Sequence, residues 1–226
     1  SAYLQLYFPS NVPKLFKLLK LLPKTLIDEM SKVPWIDFGS GPATYTLAWY
    51  SWLRSQKKKY PPESLLIEND ESMKTLANRV LDKYLPDEEI TLVSDLSKKV
   101  LHGGVLFFGH SSNELSLDHL FEIIQQTKPR FIILLEPGTP EVFKKVLDLR
   151  SHLITHQYKV HYPCLMQGPC PMKQQTTTKN WCHQYLNLKF SPSVERLAQM
   201  ASLKRQHSAV IFHVYERAPE AQPVAP

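Results

Sequence analysis

The chain is short of glycine, short of cysteine and without a long apolar run, and each shortage excludes something. Only 7 glycines occur among 226 residues, so glycine-rich low-complexity and collagen-like chains are excluded and each glycine calls for a local reason. The 3 cysteines, Cys164, Cys170 and Cys182, are an odd number confined to one short stretch. That pattern argues against a disulfide framework and for metal ligands or free thiols. The longest apolar run, FIILL, falls far short of the ~20 residues a membrane-spanning helix needs. No signal peptide is evident, so no membrane partner and no secretion are expected.

What is present fits one α/β domain with an insertion. The net charge is +6, from 27 basic and 21 acidic residues, a mild lean toward anionic partners. The lean is uneven: NVPKLFKLLKLLPK and RSQKKKYPP carry no acid at all.

Residues 1–32 read as a helical segment. Ser10 and Asn11 stand as N-caps, with Pro13 in the first turn. Leu15, Leu18, Leu19 and Leu22 form an apolar stripe, with Lys14, Lys17 and Lys20 roughly opposite. From residue 33 to 217, strands and helices alternate. PWIDFG, SLLIE, EITLVSD, GGVLFFGH and RFIILLEPG read as strands, with helical stretches between them. HQYKVHYP and SAVIFHVYER read as late antiparallel strands. The residues from 218 to 226 read as a disordered tail. Such alternation predicts a mostly parallel, doubly wound sheet whose ligands lie beyond the carboxyl ends of the strands.

Those ends carry the first constellation. WIDFGSGPAT gives a strand, the turn Gly39-Ser40-Gly41, and a helix predicted to open at Pro42. Asp37 lies two residues before the glycines. Glu68 ends the second strand, where a carboxylate can accept both hydroxyls of a ribose. Asp95 ends the third, His110, Ser111, Asn113 and Glu114 follow the fourth, and Glu136 ends the fifth. Each alone is an ordinary capping or turn residue. Together they outline a nucleotide-type crevice. A P-loop is excluded, because GxxxxGK[ST] is absent. The pattern resembles the Rossmann-like S-adenosylmethionine-dependent methyltransferases. That resemblance implies that Gly39 and Gly41 approach the methionine part, Glu68 the ribose and Asp95 the adenine. Ala43 stands where the usual third glycine would be.

The second constellation is HYPCLMQGPCPMKQQTTTKNWCHQ, residues 161–184. Thiolates select zinc or iron–sulfur, and proline follows a cluster cysteine in some iron–sulfur proteins, as Pro171 follows Cys170. His161 or His183 would serve as a fourth ligand. Three free thiols in a proline-rich loop are the alternative.

Both constellations together resemble the methyltransferase-like proteins associated with the mitochondrial small ribosomal subunit and their bacterial relatives. The matching stretches are AYLQLYFPSNV, DFGSGPAT, SSNEL, LLEPGTPEVF, the PC…CP…WCH loop and HVYER. The resemblance implies a class I methyltransferase sheet carrying a four-iron–four-sulfur cluster, with Cys164, Cys170 and Cys182 as three of its ligands. A fourth cysteine, near the C-terminus in mitochondrial members, has no counterpart here. The resemblance also implies S-adenosylmethionine as cofactor and small-subunit ribosomal RNA as partner, with no role for DNA. The setting it implies is the cytoplasm for a bacterial chain and the mitochondrial matrix for a eukaryotic one. Two readings remain open: methyl transfer to RNA, or RNA binding in ribosome assembly with the fold as scaffold.

Overall fold

The structure, a computed structural model, describes residues 7–175, 177, 179–200 and 206–218. The expectations for residues 1–6 and for the tail from 219 onward lie outside the described residues. The elements run α1 (Phe8–Leu19), α2 (Lys24–Met30), β1 (Trp35–Phe38), α3 (Thr44–Ser55), β2 (Ser64–Ile67), α4 (Glu71–Tyr84) and β3 (Ile90–Val93). They continue with β4 (Val105–Gly109), α5 (Leu117–Thr127), β5 (Phe131–Pro137), α6 (Pro140–Thr155), β6 (Tyr158–Tyr162), β7 (Gln184–Asn187), α7 (Pro192–Met200) and β8 (His207–Arg217).

The sheet order is β3-β2-β1-β4-β5-β8-β6, with β7 also pairing β8. Strands β1 to β5 are parallel, and β8 runs antiparallel to β5. The strand order reverses between β1 and β4, and the crevice opens above that switch point.

Strand parity sorts the core into two layers. Trp35, Val105, Phe107, Phe131, Ile133 and Leu135 face the side covered by α1, α2 and α3. Ile36, Leu106, Phe108, Ile132 and Leu134 face the side covered by α5 and α6. As its unbroken apolar run predicts, β5 is buried on both faces. Among the described residues, no helix is long and apolar enough to cross a membrane.

Local chemistry explains three helix starts. Asp70 Oδ1 accepts from Met73 N at 2.9 Å, Ser116 Oγ from His119 N at 3.1 Å, and Thr139 Oγ1 from Val142 N at 3.3 Å. Each satisfies an amide that the first helical turn leaves unpaired. Two starts differ from expectation. Helix α1 opens at Phe8 with Pro9 in its first turn, so Ser10 and Asn11 are buried inside it and Pro13 lies within the helix. Helix α3 opens at Thr44, not Pro42, because Ala43 takes the left-handed conformation with φ of 60°.

Strands β6 and β7 share one edge of β8. β6 pairs with residues 214–217 and β7 with residues 207–210, both antiparallel. They are two segments of one edge track, and the whole cysteine loop is an excursion between them. Gln184 Oε1 accepts from Phe212 N at 2.9 Å and satisfies an amide left bare by the gap.

Candidate functional site

The crevice is a cavity of about 670 Å³ at the carboxyl ends of β1, β2, β3 and β4. Gly39, Gly41, Glu68, Asp95, His110, Ser111 and Glu114 line it, so the structure brings together most of the predicted residues. The turn is shaped by Gly39, with φ of +70°. A Cβ there would lie 2.5 Å from Ser111 Cβ, so only glycine fits. Ser111 is itself fixed, its Oγ donating to Phe38 O at 2.6 Å. This bond ties the loop after β4 to the end of β1.

Glu68 spans the crevice floor. Its Oε2 accepts from Gly41 N at 2.8 Å and its Oε1 from Asp70 N at 2.8 Å. One lone pair on each oxygen is thereby used, and a carboxylate has about four such sites, so acceptor capacity for two hydroxyls remains. Asp95 accepts from Ser97 N at 2.8 Å and from Ser97 Oγ. These bonds hold its carboxyl below the usual range, so it presents a charge at the exposed end of the crevice. Leu96 and Ile123 supply apolar wall nearby.

Three predicted residues stand elsewhere. Asp37 shares the parity of Trp35, so it points under α3 and does not line the crevice. Thr46 Oγ1 donates to Asp37 Oδ2 at 2.7 Å and receives Trp35 Nε1 at 3.1 Å. Asp37 Oδ1 is buried without a hydrogen-bond partner among the described residues, and burial pushes the carboxyl up to about 7. Ser40 is buried too, and its Oγ has no partner among the described residues. Glu136 lies fully buried beneath the loop after β4. Its Oε1 accepts from Ser112 N at 2.9 Å and Ser112 Oγ at 2.7 Å, and burial raises its pKa to about 7. It braces the loop; Asn113 Nδ2, oriented to donate, reaches its Oε2 at 2.9 Å.

Sequence reasoning missed Lys14. Placed opposite the leucine stripe by periodicity, it is in fact buried, with Nζ 3.4 Å from His110 Nε2. An ammonium only donates, so the imidazole accepts and is neutral in this contact. His110 itself sits in the left-handed region with φ of 60°. Helix α1 is thereby linked to the end of β4. Met73, Ser94, His119 and Gln126 also line the cavity without sequence signal.

The cysteine loop departs from the metal reading. His161 is engaged by Glu216 at 2.8 Å. His183 stacks on Trp181, with ring centroids 4.8 Å apart, and its Nδ1 donates to Trp181 O at 3.1 Å. Neither histidine is held as a fourth ligand. Cys164 is exposed, while Cys170 and Cys182 are half-buried thiols. Burial, and then the nearby Cys170 and Cys164, push the Cys182 thiol up. Among the described residues, no three His, Cys, Asp or Glu side chains gather closely enough to hold a metal ion. The donor set as folded thus does not fit a complete zinc or iron–sulfur site. Other side chains hold the loop. The buried Arg150 donates to Gly168 O at 2.9 Å and Met166 O at 2.6 Å. Gln167 pairs with Val160 N at 2.8 Å and Val160 O at 3.1 Å.

A glycine turn at the switch point, an acid at the next strand end and a final antiparallel strand define the Rossmann-like class I methyltransferase fold. Solved structures agree. PH1948 from Pyrococcus horikoshii, a proposed RNA methyltransferase, is 12% identical, with 88% of this chain and 79% of that one covered and a TM-score of 0.52. The precorrin-6y C5,15-methyltransferase from Geobacter metallireducens is 12% identical, with 86% and 87% covered and a TM-score of 0.50. At such identities the likeness is one of fold alone. The family model described as mitochondrial small ribosomal subunit Rsm22 matches residues 1–222, and the chain belongs to that family. No curated protein matches it.

Proposed function

We propose that this chain binds S-adenosylmethionine in the crevice and acts on small-subunit ribosomal RNA. The observation that carries the reading is Glu68, held in the crevice against the glycine turn by Gly41 N with acceptor capacity to spare. In this role Glu68 receives the ribose hydroxyls, Asp95 receives the exocyclic amine of adenine, and Leu96 flanks the base. The backbone beside Gly39 and Gly41 takes the methionine part. When bound, the cofactor supplies an electrophilic methyl group. The chain's own task is to orient an acceptor against it and to exclude water. His110 is the group nearest that task, since its neutral imidazole can take a proton once Lys14 moves aside.

RNA as partner is supported by membership of a family named for the mitochondrial small ribosomal subunit and by the basic balance of the chain. A mitochondrial setting rests on the same family description. The test is transfer of a labelled methyl group from S-adenosylmethionine to small-subunit RNA, compared with Glu68→Ala. Label on RNA that depends on Glu68 supports the reading; none under saturating cofactor removes methyl transfer from it.

The contact of Lys14 with His110 favours a second reading, RNA binding without transfer, because it occupies the ring nitrogen that would take a proton from an acceptor. An RNA affinity that falls steeply with salt and is indifferent to cofactor would fit this reading. An iron–sulfur cluster, or zinc in its place, would require the three neighbouring thiols to draw together and a further ligand to complete the set. Iron, sulfide and zinc analysis of anaerobically purified protein decides it, and no step of the proposed chemistry runs through it.

A further inference from the structure

A second cavity, of about 860 Å³, lies between the carboxyl ends of α5 and α6. By topology this is the edge opposite the crevice, where the parallel strands begin. Its size is within the range of small-ligand pockets. Its lining includes Lys128, Arg217, His152 and His156, and no acidic side chain among the described residues. Phe121, His152 and His156 form a stack, with ring centroids 3.6 Å apart at 17° and 3.9 Å apart at 21°. The two faces of His152 are covered by its neighbours, so the free end of the ladder is His156, which is exposed.

His156 is held in position. Its Nδ1 lies 2.8 Å from His152 O, and a carbonyl only accepts, so Nδ1 is the donor. That bond also caps the end of α6. The floor is fixed as well, because Tyr158 Oη donates to Pro129 O at 2.8 Å. A pre-set aromatic face beside two cations matches a planar ring joined to an anion. Bases that stack on side chains must come from unpaired strands.

We propose that this groove binds a nucleotide unit of single-stranded RNA, the base stacked on His156 and the phosphate held by Lys128 and Arg217. The inference rests on the reading of RNA as partner and deepens it. A strand seated there leaves the crevice, on the other edge, open to a second part of the same RNA.

The test is fluorescence anisotropy of a short labelled single-stranded oligoribonucleotide with the full chain. S-adenosylhomocysteine binding serves as the check that each variant is folded. His156→Ala is expected to weaken RNA binding about tenfold or more, while His156→Phe, which keeps a stacking face, retains affinity. Lys128→Ala is expected to weaken binding and to lower the salt slope by about one. Lys59→Ala, an exposed charge outside the groove, should have a smaller effect than Lys128→Ala. If the wild-type chain binds RNA but His156→Ala and Lys128→Ala do not matter, the groove is overturned and the RNA reading stands. If the wild-type chain has no RNA affinity, the RNA reading fails and takes the groove with it. If AMP binds as tightly as the oligonucleotide, the site is for a free nucleotide and the strand assignment is overturned.

Discussion

The crevice and the cysteine loop differ in what holds them. The crevice is closed by bonds between adjacent strand ends: Gly41 to Glu68 and Ser111 to Phe38, with Ser112 to Glu136 bracing its rim. Each joins neighbours in the sheet, so sheet topology alone brings the partners together. The cysteine loop leaves the edge of β8 and returns to it, tethered by Arg150 from α6 and by its own Gln167, whose amide pairs with the backbone of β6. A site made by topology inherits the rigidity of the sheet. A site made by tethers has its own, separable stability.

Gly39→Ala should break the crevice side of this contrast most strongly. It places a Cβ 2.5 Å from Ser111 Cβ at a positive φ, and a loss of about 3 kcal/mol is expected in denaturant unfolding. S-adenosylhomocysteine binding should vanish, while amide exchange in residues 164–170 stays as in the parent.

The next effect is a pH dependence. An unfolded aspartate ionises near pH ~4, whereas burial keeps Asp37 protonated up to about 7. Glu136 behaves alike, with its carboxyl also pushed up to about 7. Between those limits the native chain binds more protons than the unfolded one, so stability falls as pH rises through the window. Asp37→Asn should remove its share and flatten the curve of melting temperature against pH. An unchanged curve would mean that the carboxylate is solvated.

Arg150→Ala sharpens the other side. Losing a buried cation's two hydrogen bonds should cost about 2 kcal/mol and speed amide exchange across residues 164–170. Crevice binding should be unaffected; a matching loss of cofactor affinity would show that the two regions are coupled. The smallest effect expected is a gain. Ala43 occupies a left-handed position, so Ala43→Gly should stabilise the chain by about 1 kcal/mol without weakening the site.

The sequence made the strands legible because buried parallel strands are unbroken apolar runs, as in Phe131–Pro137. It made the polar strand ends legible for the same reason, since each follows such a run. Asp37 shows where that reading overreached. Standing beside the glycine turn in sequence, it is turned away from the crevice by the same alternation that buries Trp35. Lys14 was illegible because its partner His110 is 96 residues away. β7 and α7 escaped notice as well. The segment Gln184–Asn187 is short and polar and becomes a strand only because β8 offers a free edge. The loop's tethers, Arg150 above all, carry no local signal, since an arginine on a helix usually faces solvent.

The most direct test is calorimetric titration of the full chain with S-adenosylhomocysteine, for the wild type and for Glu68→Ala. One site per chain is expected, weakened about a hundredfold by the substitution, the worth of two hydrogen bonds to a charged acceptor. Heat of binding that is absent, or that is the same in both proteins, would contradict the assignment of the crevice as the cofactor site.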